Sequence, residues 1–221
     1  VAAQSIVKRN PVKAEKWMIA AANPHAAEAG RQILRGGGSA IDAAIAAQMV
    51  LNLVEPQSSG IGGGAFLMHL KAESGDISTY DGREKAPAKA RPDMFLDKVG
   101  QPRKFFDAVV GGLSVGVPGL LRMLEDAHKE HGKLAWSKLF QPAIDLAEKG
   151  FRITPRLNGL VTKDKYLKVF PMTEAYFHDE TGAPLGVGHT LTNQPLADNL
   201  RLIAEKGADA FYTGTLAQKI V

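Results

Sequence analysis

Gly36-Gly37-Gly38-Ser39-Ala40-Ile41-Asp42-Ala43-Ala44-Ile45-Ala46-Ala47-Gln48-Met49-Val50-Leu51-Asn52-Leu53-Val54 is the stretch on which the fold turns. Its three glycines permit positive φ and so end whatever helix precedes them. Ser39 is a helix N-cap, and Asp42 three residues on makes a variant of the capping box. Beyond the cap, apolar residues fall on every face, the pattern of a helix buried on all sides. The segment therefore predicts a central core helix. Asp42, Gln48 and Asn52 interrupt it, and it is shorter than the roughly 18 apolar residues that a membrane span requires.

Upstream, residues 1–14 form a polar lead-in with Pro11, and a short apolar run over 17–22 precedes Asn23-Pro24. Asn caps free backbone N–H groups and Pro fits the first helical position, so a helix is predicted from here to about Arg35, with Arg31 and Arg35 in its last turns. Downstream, Glu55-Pro56 leads into Gln57-Ser58-Ser59-Gly60-Ile61-Gly62-Gly63-Gly64. Two strands follow, over 65–70 and 76–81, joined at Ser74-Gly75 as a β-hairpin. The second strand runs into Gly82-Arg83-Glu84-Lys85-Ala86-Pro87, where Pro87 argues against a continuing central strand. Arg83 thus sits where a strand gives way to a loop. Further helices are predicted from Pro118 onward, around 143–149 and around 196–206. Residues 151–193 carry Pro155, Pro171, Pro184 and several glycines without clear periodicity and read as mostly loop. Residues 215–221 have helical spacing and then stop without punctuation, which suggests a chain that continues.

The chain has 221 residues, 45% of them hydrophobic and 23% charged, enough to bury a core and too apolar for a disordered chain. Its net charge is +4, but the cations are interspersed with acids, with no basic run and no RNP-like or zinc-finger spacing, so no nucleic-acid partner is expected. There is no cysteine, which excludes a disulfide framework and a thiolate metal cage. Val1 opens the chain and no basic-then-apolar leader precedes the first structured segment, so the start is expected to be processed.

Four groups of residues invite a chemical reading. Gly60-Ile61-Gly62-Gly63-Gly64 resembles a phosphate cradle, but it follows a helix and precedes a strand, the reverse of the P-loop and dinucleotide orders. Glycines that let backbones approach closely explain it better. Glu125, His128 and His131 are spaced as possible metal ligands on one helix, or as an exposed polar helix end; HExxH is absent, and no metal and no cofactor is assigned. Gly112-Leu113-Ser114-Val115-Gly116 matches GxSxG, with residues 107–110 as a possible preceding strand, although Val117-Pro118 delays the helix that should support the serine. Arg83, flanked by Gly and Pro, either presents its guanidinium to a carboxylate or closes a structural ion pair with Asp81, Glu84 or a distant acid.

Taken together, these pieces resemble the large subunit of the γ-glutamyltransferases. The likeness is carried by Asn23-Pro24, the Gly36–Ala44 run, Glu55 to Phe66, Asp81-Gly82-Arg83-Glu84-Lys85-Ala86-Pro87, Pro92-Asp93-Met94-Phe95, Gly116-Val117-Pro118-Gly119, Gln141-Pro142-Ala143, Gly150-Phe151 and Phe211-Tyr212-Thr213-Gly214-Thr215, in order from about Met18. The resemblance implies an α+β fold, the αββα sandwich of N-terminal nucleophile hydrolases, of which residues 1–221 are one partial domain. It implies a precursor that cleaves itself and a small subunit, from that precursor, whose new N-terminal Thr is the nucleophile. It implies a small-molecule γ-glutamyl substrate such as glutathione, and a periplasmic or secreted location. No catalytic residue is expected in this chain. Arg83 matches the family arginine that binds the donor α-carboxylate, and Ser114 becomes structural. The related cephalosporin acylases, acting on glutaryl amides, and a stand-alone anion-binding domain built on Arg83 and the glycines are the competing readings.

Overall fold

The computed structural model describes residues 10–221, so most of the polar lead-in read for residues 1–14 lies outside the described residues. Helix α1 (Pro24–Arg35) starts as expected: Asn23 accepts from the His25 N–H at 3.0 Å and Pro24 takes the first helical position. Helix α2 (Ala40–Val54) follows the glycines with a full capping box, Ser39 and Asp42 each bonding the other's backbone N–H. Ile45, Ala46, Met49, Val50 and Leu53 are essentially inaccessible. The helix is not sealed all round: Ala40 and Ala44 remain exposed, and Gln48 and Leu51 are half-buried along an apolar groove beside Trp17 and Met18.

The hairpin follows, β1 (Phe66–Lys71) against β2 (Asp76–Asp81), antiparallel with Phe66 opposite Asp81 and Lys71 opposite Asp76. Gly75, at φ +78°, supplies the positive-φ turn residue that the strand reversal demands. Beyond it come α3 (Phe105–Val109), α4 (Leu120–His131), α5 (Gln141–Lys149), β3 (Phe151–Arg152), α6 (Pro155–Lys163), α7 (Pro171–Phe177), β4 (Thr190–Leu191), α8 (Gln194–Lys206), α9 (Asp209–Tyr212) and α10 (Gly214–Ile220). Strands β3 and β4 form a second, two-residue antiparallel pair. One continuous core joins α1, α2, α4, α5 and α8, with Phe140, Leu139, Leu200 and Ile203 fully buried.

Two further expectations are corrected. Residues 151–193 hold α6 and α7 rather than mostly loop, because Pro155 and Pro171 each stand in the first turn of a helix, where a missing N–H costs nothing. Thr154 completes the first of these starts by accepting from the Leu157 N–H at 3.1 Å. Residues 107–110 do not form a strand; 107–109 belong to α3, none of whose residues is buried. The helix predicted from Pro118 begins at Leu120, and those around 143–149 and 196–206 appear as α5 and α8.

Asp42 ties the core together. Its side chain is fully buried, and Oδ2 accepts the backbone N–H groups of Ser39 at 2.9 Å and of Lys133 and Leu134 at 3.0 Å each. The other oxygen lies 3.5 Å from Nε2 of His128, which donates to the Leu134 carbonyl at 2.9 Å. One carboxylate thus caps α2 and fixes the turn leaving α4. Asp42→Ala leaves three backbone donors without a partner in a buried site, a loss of about 3 kcal/mol. Thermal unfolding of Asp42→Ala is expected at a Tm lower by about 8 °C, and a Tm within about 2 °C of the parent contradicts this role.

The hairpin is held against α4 by a smaller polar cluster. The His69 and His131 rings stack with centroids 3.9 Å apart, and the Tyr80 hydroxyl lies 2.8 Å from both Glu130 Oε2 and His131 Nε2. Burial, then hydrogen bonding to Glu130, pushes the Tyr80 phenol up to about 12, so it stays a donor at every physiological pH. Burial first and the neighbouring His131 second hold His69 below the usual imidazole range. A base whose folded pKa is depressed binds fewer protons folded than unfolded, so stability rises with pH through that window and is lost on acidification below about pH 6.5. His69→Gln is therefore expected to flatten the fall in Tm between about pH 7 and pH 5, and an unchanged slope contradicts the assignment.

Candidate functional site

The residues singled out between 60 and 87 converge on one crossing of three chain segments. The hairpin ladder continues one pair past its strands: Gly82 N–H donates to Ala65 O at 3.0 Å and Ala65 N–H to Gly82 O at 3.3 Å. From the third segment, the N–H groups of Gly119 and Leu120 both donate to the Gly63 carbonyl at 3.2 Å. A Cβ on Gly64 would stand 2.6 Å from Gly82 O and 3.0 Å from Arg83 Cα; one on Gly82 would stand 2.6 Å from Met123 Cβ; one on Gly119 would meet the Gly82 carbonyl closer still. These contacts are with backbone or a helix-borne Cβ, which cannot swing aside. The glycine cluster is therefore in part a packing device, as its order in the sequence suggests. Gly60 and Gly62 differ, with open space where a Cβ would lie.

This crossing fixes the backbone of Arg83. Its N–H donates to Asp81 Oδ1 at 2.9 Å, closing the turn out of β2, and two residues later Lys85 pairs with Val117 through bonds of 3.1 and 2.8 Å. The Glu84 carboxylate lies against Gly63 and Gly64. The Arg83 side chain is 70% exposed, and among the described residues its one acidic neighbour is Glu84, with Nε at 3.4 Å from Oε2. That separation exceeds the 2.7–2.9 Å of a charge-assisted hydrogen bond. Its guanidinium therefore keeps most of its donors unused.

Arg83 and Lys85 together line two adjoining clefts. The first, about 450 Å³, runs between β2 and the start of α4, with Arg122, Met123 and Tyr212 in its walls. The second, about 520 Å³, is bordered by Met94, Phe95, Leu113 and Val115. Arg122 contrasts with Arg83. It is bound to Asp209, to Glu125 at 2.7 Å, and lies over the Tyr212 ring at 5.2 Å. Asp209 is correspondingly held below the usual carboxylate range by hydrogen bonding to Arg122. Burial would raise Glu125, yet the N–H of Ala208, then Lys129 and Arg122, outweigh it and keep its pKa low. Arg122 and Tyr212 were not read as site residues because Arg122 meets Asp209 and Tyr212 about ninety residues away; the Arg122/Glu125 spacing is the local signal that could have found the arginine.

The other candidates disperse. Glu125, His128 and His131 serve three separate contacts, with Arg122 and Lys129, with the Leu134 carbonyl, and with His69 and Tyr80. Among the described residues no group of three His, Asp or Glu side chains is placed to hold a metal ion. Ser114 ends a 3₁₀ turn over Gly112–Ser114, and its hydroxyl donates to the Val109 carbonyl at 2.9 Å. With a helix before it and no strand, the arrangement is not a nucleophile elbow.

Solved structures place this architecture among transpeptidases and acylases. The γ-glutamyltranspeptidase of Helicobacter pylori superimposes with a TM-score of 0.90 at 34% identity, over 95% of this chain and 60% of that one. Among curated sequences, the glutathione hydrolase proenzyme of Bacillus subtilis (strain 168) is 43% identical over 92% of this chain and 34% of its own length. The acylase ACY 1 proenzyme of Pseudomonas sp. (strain SE83) is 36% identical over 96% of this chain and 39% of its own. Residues 26–221 match the family model described as gamma-glutamyltranspeptidase, and the chain belongs to that family. It spans about a third of the length of the curated relatives it matches. No helix among the described residues is long and apolar enough to cross a membrane.

The glycine crossing gives a direct test. Gly64→Ala is expected to lower Tm by several degrees, because the Gly82 carbonyl must move and with it Arg83, whereas Gly60→Ala is expected to unfold within about 1 °C of the parent. Equal Tm values for the two variants in thermal melts contradict the packing role of Gly64.

Proposed function

We propose that this chain is the large-subunit part of an enzyme that transfers or hydrolyses γ-glutamyl groups, and that Arg83 grips the α-carboxylate of the donor. The observation that carries this is the Arg83 guanidinium, anchored through its backbone at a rigid crossing and paired only loosely, with Glu84 at 3.4 Å, beside two clefts. Its planar fork matches a carboxylate bidentately. Family membership supports the rest. The nucleophile is the N-terminal Thr of a small subunit released by self-cleavage of the same precursor. Its hydroxyl oxygen attacks the γ-carbonyl carbon, the amine leaves with a proton relayed through the α-amino group, and water or an acceptor amine then takes the acyl group. Residues 1–221 form one portion of a domain completed by other parts of that precursor. The outer face of the hairpin, with Phe66, Met68, Leu70 and Ile77 each at least 60% exposed, supports a partner surface there. A periplasmic or secreted location fits the family reading.

The acylase relative favours a second reading, with the same fold acting on a glutaryl amide. A glutaryl group carries a carboxylate but no α-amino group. Turnover of glutaryl amides without release from γ-glutamyl anilides replaces the first reading with the second.

In the processed full-length enzyme, Arg83→Ala is expected to lower kcat/KM for γ-glutamyl donors by roughly 10- to 150-fold, the equivalent of one charge-assisted contact. Arg83→Lys recovers only part, since a point charge does not reproduce the fork. Self-cleavage continues in both variants. An unprocessed Arg83→Ala precursor assigns Arg83 to folding instead.

A further inference from the structure

Lys85 is set apart from the other unpaired cations by its place beside Arg83. It is exposed, it lines the same two clefts as Arg83, and among the described residues it has no acid within ion-pair distance. Its backbone is pinned in both directions to Val117, so the side chain departs from a fixed point. Glu84, between the two cations, turns its carboxylate toward Gly63 and Gly64, and it borders the second cleft but not the first. The first cleft therefore carries Arg83 and Lys85 two residues apart without Glu84 between them, with Asp81, Asp126 and the ion-paired Arg122 elsewhere in its lining.

That spacing has a chemical counterpart. Two residues of chain span at most about 7 Å between Cα atoms. In a γ-glutamyl amino acid, the carbon bearing the glutamyl carboxylate and the carbon bearing the carboxylate of the next residue are separated by five bonds, about 6 Å when extended. The two carboxylates of such a donor, on either side of the scissile amide, are therefore within joint reach of two cations carried two residues apart on one chain. A γ-glutamyl anilide has no second carboxylate, and a tripeptide donor carries its second carboxylate one residue further out.

Resting on the proposed γ-glutamyl reading, we propose that Lys85 is a specificity-determining residue: with Arg83 holding the donor α-carboxylate, Lys85 receives a carboxylate on the carbon next to the leaving nitrogen. The substrate class selected is the γ-glutamyl amino acids, and an amino-acid acceptor is held by the same contact when it enters as the amine. Nothing in the acyl-transfer step itself passes through Lys85; it positions the leaving or entering amine.

The test uses the processed full-length enzyme and a matched pair of donors, γ-glutamylglycine and γ-glutamylglycinamide, which differ only in the charge of the second carboxyl. The readout is the ratio of their kcat/KM values. The parent enzyme is expected to favour the acid, and Lys85→Met to lower that ratio about 5- to 10-fold, with Lys85→Arg restoring most of it. Raising ionic strength is expected to shrink the ratio in the parent and to leave it flat in Lys85→Met, because an exposed charge pair is screened. An unchanged ratio in Lys85→Met overturns the assignment, as does a ratio in the parent that does not respond to salt. Failure of the donor reading looks different: a parent enzyme that cleaves neither donor removes the γ-glutamyl function and this inference with it.

Discussion

Three chain segments approach one another at Gly64, Gly82 and Gly119 more closely than any side chain permits, and the rest of the site depends on that approach. Hydrogen bonds from Gly82 to Ala65, and from Gly119 and Leu120 to Gly63, lock the three segments to one another. None of these glycines needs positive φ, so the constraint is space and not backbone conformation. Because the crossing lies directly before Arg83, it delivers a backbone that cannot drift by the ångström or so that separates a bidentate grip from a loose one.

Most of the arginines in strong ion pairs here are satisfied locally. Arg31, Arg91, Arg122 and Arg201 each have a carboxylate at or near charge-assisted hydrogen-bond distance. Arg83 has Glu84 at 3.4 Å, and that carboxylate is drawn toward the glycines. The same small residues thus do two things: they let the backbone cross, and they leave room for the Glu84 carboxylate, which stays within 3.4 Å of Arg83 Nε. An exposed, poorly paired cation gains little stability for the fold, which supports the carboxylate grip proposed for Arg83. Asp42 is the opposite case, a buried carboxylate whose Oδ2 spends three backbone hydrogen bonds on architecture while Oδ1 has no hydrogen-bond partner.

Local chemistry was legible in the sequence where it decides local structure. Asn23-Pro24, Ser39 with Asp42, and Ser74-Gly75 announced two helix starts and a turn, and each lies where its capping or turn geometry requires. The prolines at 155 and 171 misled because proline is both a breaker and a first-turn residue, and only the Thr154 cap distinguished the first of them. Long-range pairing was not legible. The contact of Asp42 with Lys133 and Leu134, the closing of Arg122 by Asp209, and the stacking of His69 on His131 each join residues more than sixty positions apart. The role of Gly64 was visible only as a preference for packing over phosphate binding; the partners Gly82 and Gly119 came from the fold. Arg83 as a candidate came from its place between strand, Gly and Pro, and the role proposed for it from the family pattern around it.

The most direct measurement is a crystal structure of the processed full-length enzyme with glutamate bound. The Arg83 guanidinium is expected to have left Glu84 and to donate two parallel hydrogen bonds of about 2.8 Å to the glutamate α-carboxylate, with the Gly64, Gly82 and Gly119 crossing unmoved. Glutamate bound with its α-carboxylate on other residues, and Arg83 still resting on Glu84, would contradict it.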